Sequence, residues 1–169
     1  MSTIIIEGFD NTGKTTLAKE LARILGYQYV SGGGPEVGTY KGALERLKKD
    51  MPNKVQDRTW ISEIIYGTVI RKHSGINAAE EKQMIKFHLE NNIFLIYAKR
   101  PLKRIMETIS SREQMDGVIE CAPQLLDAYD KYMLEKLPKY LYTPIIYNFE
   151  ENSIPELLEL LRNSGIKKE

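Results

Sequence analysis

The sequence predicts an α/β fold, in which helices cover both faces of a parallel sheet of five strands. Short apolar runs alternate with segments of helical periodicity along the whole chain, and this alternation is typical of parallel strands joined by crossover helices. The run Thr3–Glu7 is rich in isoleucine, as expected of a strand that is buried on both faces. A length of 169 residues fits one domain, so we expect a single domain over residues 1–169.

The predicted elements alternate in order. The strands are residues 3–7, 27–30, 54–56, 93–98 and 144–149. The helices are residues 15–25, 35–49, 59–72, 78–90, 102–110, 125–137 and 155–162. In the first helix, Leu17, Leu21 and Leu25 fall on one face, and Gly26 ends the helix. Pro155 opens the last helix, at a position where proline is favoured.

Composition excludes several classes of protein. The formal net charge is +1, from 24 basic and 23 acidic residues, so no overall field attracts nucleic acid or anionic lipid. Cys121 is the single cysteine, which excludes an internal disulfide and a multi-thiolate metal site and fits a reducing compartment. No apolar run has the length of a membrane span or the flanks of a signal peptide. We therefore expect a cytoplasmic protein without membrane or nucleic-acid partners, and a homodimer stays open.

The most specific motif lies at residues 8–16. Gly8, Gly13, Lys14 and Thr15 satisfy G-x-x-x-x-G-K-[ST], between a predicted strand and a predicted helix, as in a phosphate-binding loop. In such a loop, backbone N–H groups and the helix N-terminus attract phosphates, the lysine neutralises the β and γ oxygens, and the hydroxyl ligates Mg²⁺. The sequence therefore predicts binding of a nucleoside triphosphate. The expected triphosphate-binding residues are Asn11, Thr12, Gly13, Lys14, Thr15 and Thr16.

Asp10 is a carboxylate inside this loop. A negative charge in an anion cradle is costly unless it points outward, where it could accept a hydrogen bond from a hydroxyl of a second substrate. The alternative is a residue that caps the following helix. The motif alone leaves an ATPase, a GTPase and a small-molecule kinase open.

A second informative stretch begins at Asp57 and Arg58, where the third predicted strand ends. A carboxylate there typically holds Mg²⁺ through water or takes a proton from the attacking oxygen, and a guanidinium suits a phosphate. Ser62 and Tyr66 follow at a spacing of four and share a helix face with Arg58, whereas Trp60 points elsewhere. These residues, Trp60 included, are candidates for binding a second nucleotide. The alternative is a surface helix that buries Trp60 and Tyr66.

Together these residues resemble the thymidylate kinases and the wider group of deoxynucleoside monophosphate kinases. The resemblance rests on Glu-Gly-Phe-Asp at 7–10 and Gly-Lys-Thr-Thr at 13–16, followed by the Asp57 to Tyr66 stretch. Small thymidylate-kinase-like proteins of phages are similar also in residues 61–63, 66–67, 114–118 and 128–130. The resemblance covers nearly the whole chain and implies a three-layer P-loop kinase fold with a short lid near residues 108–120.

The resemblance also implies roles for particular residues. Asp10 would meet the 3′-hydroxyl of the sugar, Arg58 the acceptor phosphate, and Tyr66 the sugar or the base. The cofactors would be ATP and Mg²⁺, with Thr15 and Asp57 as the metal ligands.

The chain departs from the thymidylate kinases at two places. Those proteins usually carry Arg-Glu-Pro-Gly after the second strand, whereas residues 31–36 here are Ser-Gly-Gly-Gly-Pro-Glu. Gly34 is a substrate-binding candidate because glycines let backbone amides approach a phosphate, although a bare turn is the alternative. Gly67 replaces the glutamine that usually follows the residue matched by Tyr66. The base that is accepted therefore stays open.

Phosphoryl transfer needs positive charge over the transferred group and exclusion of water. Asn11, inside the cradle, cannot supply that charge, so a mobile lid at the polar residues 110–117 is expected to bring it. Arg112 is the first candidate for the lid arginine and Arg104 the second. Arg100 is expected near the base of the donor nucleotide.

We therefore predict transfer of the γ-phosphoryl group of ATP, with Mg²⁺, to a deoxynucleoside monophosphate such as dTMP or a related or modified nucleotide. The predicted catalytic residues are Lys14, Asp57, Arg58, Arg112 and Arg104. One alternative is a deoxynucleoside or a modified base within DNA as the acceptor, and the near-neutral charge argues against DNA. The other is a nucleotide-binding switch protein, but the chain lacks a guanine-reading Asn-Lys-x-Asp stretch.

Overall fold

The structure is a computed structural model that describes residues 2–33, 38–111 and 113–165. The strands are β1 (Thr3–Glu7), β2 (Gln28–Ser31), β3 (Lys54–Asp57), β4 (Ile93–Ala98) and β5 (Ile145–Tyr147). The α-helices are α1 (Lys14–Leu25), α2 (Tyr40–Lys48), α3 (Trp60–Tyr66), α4 (Ala78–Glu90), α5 (Leu102–Ile109), α6 (Ala122–Asp130) and α7 (Ile154–Asn163). Within these ranges, no helix is both long enough and apolar enough to cross a membrane.

The five strands form one parallel sheet in the order β2-β3-β1-β4-β5, so the predicted fold class is confirmed. β1 lies at the centre, with Ile4 opposite Val55 of β3 and Ile5 opposite Leu95 of β4. The chain runs first toward the β2 edge and later toward the β5 edge. Ligands of open α/β sheets bind at such a reversal, beyond the carboxyl ends of the strands.

Side chains of β1 alternate between two apolar layers. Ile4 and Ile6 pack with the leucines of α1 and α7, whereas Ile5 packs with residues of α2 to α6 on the other face. All three isoleucines are buried, which explains why the strand reads as a continuous apolar run. Burying one such side chain contributes about 1.5–3 kcal/mol, so the two layers fix the strand that carries the phosphate loop.

Three predicted helices have different bounds in the structure. α2 begins at Tyr40 because the Thr39 side chain caps it by accepting from Gly42 N at 3.2 Å, and residues 35–37 of the predicted helix lie outside the described ranges. The helix predicted at 59–72 is shorter in the structure. α3 ends at Tyr66, and wide π-type turns follow over Gly67–Arg71. The helix predicted at 125–137 begins earlier, at Ala122, and widens in the same way over Lys131–Lys136.

Candidate functional site

The loop between β1 and α1 has the backbone shape of a phosphate cradle. Gly8 and Gly13 have φ angles of 149° and 79°, and Asn11 is also left-handed, with φ 63°. A Cβ atom on Gly8 would lie 2.2 Å from the carbonyl oxygen of Ala98, so glycine is required where the loop passes β4. Gly13 caps α1 without a side-chain hydrogen bond. The first N–H groups of α1 and the positive end of its dipole thus face the loop.

Lys14 places a buried positive charge in this cradle. Its ammonium group donates to the carbonyl oxygen of Phe9 and lies 3.5 Å from the hydroxyl of Thr12. Burial and, after it, the charge of Arg58 lower the pKa of Lys14 to about 7, although nearby carboxylates, Asp10 first, oppose the shift. A phosphate at this lysine would add negative charge and favour the ammonium form.

Thr15 and Asp57, the two predicted metal ligands, are in contact. The Thr15 hydroxyl donates to Asp57 Oδ2, and Asp57 Oδ1 is buried without a hydrogen-bond partner among the described residues. Hydroxyl and carboxylate oxygens are the donors that Mg²⁺ prefers. The unpaired oxygen beside the phosphate loop therefore fits a divalent cation.

The predicted acceptor residues form one hydrogen-bonded cluster. Asp10 accepts from Arg58 Nη2 and, at 2.5 Å, from the hydroxyl of Tyr66. Arg58 Nη1 lies 3.4 Å from Ser62 Oγ, and its guanidinium lies over the Tyr66 ring, 5.4 Å from the centroid. Arg58 adopts φ 72°, while its N–H donates to Ile6 O at 3.0 Å. The chain thus turns sharply at the end of β3 and directs the guanidinium back toward the phosphate loop.

The environment of Asp10 keeps its carboxylate ionised. Burial alone raises the pKa of Asp10, but the charges of Arg58 and Lys14 and the hydrogen bond from Tyr66 outweigh burial and lower this pKa below its usual value. An ionised carboxylate accepts hydrogen bonds at about four lone-pair sites. Asp10 can therefore accept another hydrogen bond from a ligand hydroxyl.

Glu7 is a functional candidate that the sequence reasoning missed. It is fully buried at the end of β1 and accepts from Thr59 N at 2.6 Å and from Ser62 Oγ at 2.7 Å. Burial raises the pKa of Glu7, although hydrogen bonding from Ser62 and the charge of Arg58 oppose this. Glu7 thereby caps α3 from a distant part of the chain. The available signal was a single carboxylate that ends an otherwise apolar strand.

Two clefts meet at Asp10 and Arg58. The first cleft has a volume of about 970 Å³ and lies against the phosphate loop. Its lining includes Asp10, Asn11, Gly13, Lys14, Thr15, Thr16, Arg58, Arg100, Thr108, Tyr147, Phe149 and Ile154. The second cleft has a volume of about 680 Å³ and lies along α3. Its lining is Asp10, Gly32, Gly33, Gly38, Arg58, Thr59, Ser62, Glu63, Tyr66, Arg71, His73, Gly75, Glu113, Gln114 and Met115.

The predicted arginines are placed differently from one another. Arg100 is buried at the first cleft, where its Nη1 donates to Asn11 O at 3.3 Å and its side chain pairs with Glu150 at 3.1 Å. Arg104 does not line either described cleft, and its half-exposed guanidinium pairs with Glu150 and Glu107. It is therefore held on the surface, where it shares Glu150 with Arg100. Arg112 and Gly34 lie outside the described residues.

Phe149 and Thr108 complete the first cleft, and sequence reasoning missed both. The Phe149 ring lies 4.9 Å from the Arg100 guanidinium carbon and would meet a Cβ on Gly13 at 2.9 Å. The Thr108 hydroxyl accepts from the Asn11 side-chain amide. Phe149 follows the last strand and Thr108 lies on α5, so no local motif signalled either contact.

Thr12, a predicted triphosphate-binding residue of the phosphate loop, is buried and donates its hydroxyl to Phe9 O at 2.8 Å.

The structure places Trp60, one of the predicted substrate residues, in the protein interior. Its side chain is fully buried in the apolar layer beneath α3, and its indole Nε1 donates to His88 Nε2 at 3.0 Å. A large apolar ring with one polar atom is satisfied by such an interior partner. Trp60 therefore stabilises α3 and does not reach either cleft.

Comparisons of the sequence with known proteins give a short match. No protein-family model matches the chain. The cytidylate kinase of Flavobacterium psychrophilum is 44% identical over 54 residues, which are 31% of this chain and 24% of that protein. The match thus spans about a quarter of the length of that curated relative.

Comparisons of the structure extend over the whole chain. The YorR protein of Bacillus subtilis, solved in complex with phosphorylated GDP, has a TM-score of 0.74 at 20% identity, covering 95% of this chain and 98% of that one. Deoxyadenosine kinase of M. mycoides has a TM-score of 0.60 at 19% identity, covering 96% and 97%. Thymidylate kinase of Candida albicans has a TM-score of 0.62 at 16% identity, covering 96% and 91%. The chain therefore has the fold of the P-loop kinases.

Proposed function

We propose that the chain is an ATP-dependent deoxynucleoside monophosphate kinase of the thymidylate-kinase-like type. The first cleft takes ATP and the second takes the acceptor nucleotide, dTMP or a related or modified deoxynucleotide. The observation that carries this proposal is the meeting of the two clefts at Asp10 and Arg58, next to Lys14. A nucleoside monophosphate kinase needs the phosphates of two nucleotides side by side at one positive centre, and this arrangement offers that.

The chemistry follows from the charges at the junction. A monophosphate is already an oxyanion, so positioning and electrostatic stabilisation supply most of the rate, and a strong base is not required. Arg58 presents a planar fork that suits the acceptor phosphate. Lys14 lies against the loop, where the γ-phosphoryl group would be transferred.

Thr15 and Asp57 are the proposed magnesium ligands. When bound, Mg²⁺ would neutralise charge on the β and γ oxygens of ATP. Side chains of the protein bind and position the two nucleotides. Asp10 and Tyr66 hold the sugar of the acceptor, and Arg100 with Phe149 flanks the donor nucleotide.

The comparisons support a nucleoside or nucleotide as the second substrate. Deoxyadenosine kinase of M. mycoides is by its name a nucleoside kinase and was solved with dCMP and dCDP as products, whereas the YorR structure carries phosphorylated GDP. The short curated match is a cytidylate kinase. Arg112, which precedes three residues that line the second cleft, remains our proposed lid arginine.

Two other functions predict different substrates. A nucleoside kinase of this fold would phosphorylate a free hydroxyl and would find no phosphate to pair with Arg58. A switch protein would hydrolyse or exchange nucleotide without a small acceptor. The cluster of Arg58, Ser62 and Tyr66 at the second cleft favours a monophosphate over both.

A product assay with ATP and Mg²⁺ tests the proposal. Nucleoside monophosphates, free deoxynucleosides and duplex DNA are incubated separately, and products are separated by ion-exchange chromatography. We expect a diphosphate from at least one deoxynucleoside monophosphate and no product from duplex DNA. We expect Lys14→Ala to lose at least about 90% of that turnover while keeping the wild-type circular dichroism spectrum. Phosphorylation of nucleosides alone, or none of any acceptor, would refute the proposal.

A further inference from the structure

The outer part of the second cleft carries an ion pair that phosphoryl transfer does not use. Arg71 Nη2 lies 2.5 Å from Glu63 Oε1, and both side chains line the cleft. They lie on α3 and on the π-type turns that follow it. Sequence reasoning gave neither residue a role.

Glu63 is held in place by the backbone as well as by Arg71. Its side chain is 11% exposed, and Oε1 also accepts from Gly75 N at 3.1 Å. The chain reaches Gly75 because Lys72 turns with φ 63°. A Cβ atom on Gly75 would lie 1.7 Å from the carbonyl oxygen of Gly38, so two loops close the cleft wall at this point. The carboxylate is thus fixed in position before a ligand arrives.

The position of the pair corresponds to the base of a nucleotide. If the phosphate lies at Arg58 and the sugar at Asp10 and Tyr66, the base extends along the remaining lining of the cleft. Glu63 is one helical turn from Tyr66, and Arg71 faces Glu63. The ion pair therefore borders the space that remains for the base.

The chemistry of a carboxylate restricts the bases that fit. An ionised carboxylate only accepts hydrogen bonds, and a second carboxylate, that of Glu113, lines the same cleft. Cytosine and adenine present an exocyclic amino group where thymine presents a carbonyl oxygen. An amino group would donate to Glu63 while the guanidinium of Arg71 donates to an adjacent ring acceptor. In thymine and uracil, carbonyl oxygens flank the ring N–H and would be repelled by the carboxylate.

We propose that Glu63 and Arg71 read the base of the acceptor, selecting bases with an exocyclic amino group over thymine and uracil. The inference rests on the proposed function and narrows its acceptor to deoxynucleotides whose base carries an exocyclic amino group, so it disfavours dTMP. The base was open because Gly67 replaces the glutamine usual in thymidylate kinases. Glu63 would then determine which base is accepted, at a position away from the phosphoryl group that is transferred.

The most direct test compares dCMP with dUMP, which differ in the group at C4 and in ring N3, an acceptor in cytosine and an N–H donor in uracil. We expect wild-type kcat/KM for dCMP to exceed that for dUMP by at least about tenfold, since mispaired buried polar groups are strongly disfavoured. In Glu63→Gln, the side-chain amide can donate to a carbonyl oxygen, so the ratio should fall toward one while the KM for ATP stays constant. Glu90→Gln, an exposed glutamate paired with Lys86 on α4, is the matched control and should keep the wild-type ratio.

The outcomes separate the two proposals. Equal use of dCMP and dUMP by the wild type, or a preference for dUMP, overturns base reading by Glu63 without touching the kinase proposal. An unchanged ratio in a Glu63→Gln variant that melts like the wild type also overturns it. If Glu63→Gln does not fold, the wild-type ratio alone decides. Calorimetry without ATP completes the design, because failure of every monophosphate to bind or react would refute the proposed function as well.

Discussion

Asp10 lines both clefts, and its proposed contact with the acceptor sugar can be tested directly. Its carboxylate accepts from Arg58 and Tyr66, and we propose that it also accepts from the 3′-hydroxyl of the acceptor sugar. A 3′-deoxy acceptor would leave a charged group with an unmade hydrogen bond and should lose about 1.5–3 kcal/mol of transition-state binding. Asp10→Asn should lower turnover of the normal acceptor but reduce the penalty for the 3′-deoxy analogue.

The measurement is a double cycle of protein and substrate, with kcat/KM for both acceptors on both proteins. Coupling beyond experimental error is the expected result. Strictly additive effects would mean that Asp10 only organises the loop and Arg58, without contacting the sugar.

His88 gives a residue-scale prediction about stability. It is buried beneath Trp60, and burial lowers its pKa to about 3, whereas an unfolded histidine titrates near 6.5. The folded state keeps His88 neutral while the unfolded state binds a proton, so stability is lost as the pH falls from about 6.5 toward 3. At pH 5 this linkage should cost about 2 kcal/mol of unfolding free energy relative to pH 7.

Variants of the two histidines of the chain isolate this effect in urea titrations. His88→Gln keeps an acceptor for the Trp60 indole and should remove about one proton from the pH slope of unfolding. His73 is the second histidine and is exposed. His73→Gln should therefore leave the contribution of His88 to the pH slope of unfolding unchanged. A His88→Gln variant with the full wild-type acid slope would show that His88 is not the titrating group.

At the scale of elements, β3 holds the end of α2 through one buried lysine. Lys54 Nζ donates to the carbonyl oxygens of Arg46, Leu47 and Lys49 at 3.0, 2.6 and 2.8 Å. Three acceptors match the three N–H bonds of an ammonium group, and the helix C-terminus attracts positive charge. Burial lowers the pKa of Lys54 to about 8, so this group remains mostly charged at neutral pH.

Replacing this cap should loosen α2 and the sheet edge beside it. Lys54→Met leaves three carbonyl oxygens of the helix end without their donor and should reduce unfolding free energy by about 2–4 kcal/mol. Lys49→Met, an exposed side chain in the same turn, should change it by less than about 0.5 kcal/mol. Equal melting temperatures for Lys54→Met and Lys49→Met would contradict the capping role.

Periodicity predicted each of the five strands. Short runs rich in isoleucine or valine, bounded by glycine or polar residues, strongly favour buried strands. Periodicity predicted helix ends less well. The π-type turns over Gly67–Arg71 end α3 where the chain folds back, with His73 N donating to Gly67 O at 3.0 Å, and residue propensities do not determine such helix ends.

At the scale of the whole molecule, the sequence predicted those site residues that follow strand ends. The phosphate loop follows β1 and Arg58 follows β3, and parallel strands bring both to one edge of the sheet. Contacts between distant elements were not predictable. Glu7 capping α3 and Phe149 against Gly13 join residues far apart in the sequence, whereas the Glu63–Arg71 pair depends on the π-type turns that follow α3.

In the proposed function, two nucleotides bind in separate clefts that share Asp10 and Arg58. Calorimetric titration of ATP and of a deoxynucleoside monophosphate into two variants tests it directly. Arg58→Lys keeps the charge but loses the planar fork, so it should weaken the monophosphate while ATP binding stays nearly constant. Lys14→Ala should do the reverse, weakening ATP most. Equal weakening of both ligands by each variant would contradict the account, because it would mean one shared pocket instead of a donor site and an acceptor site.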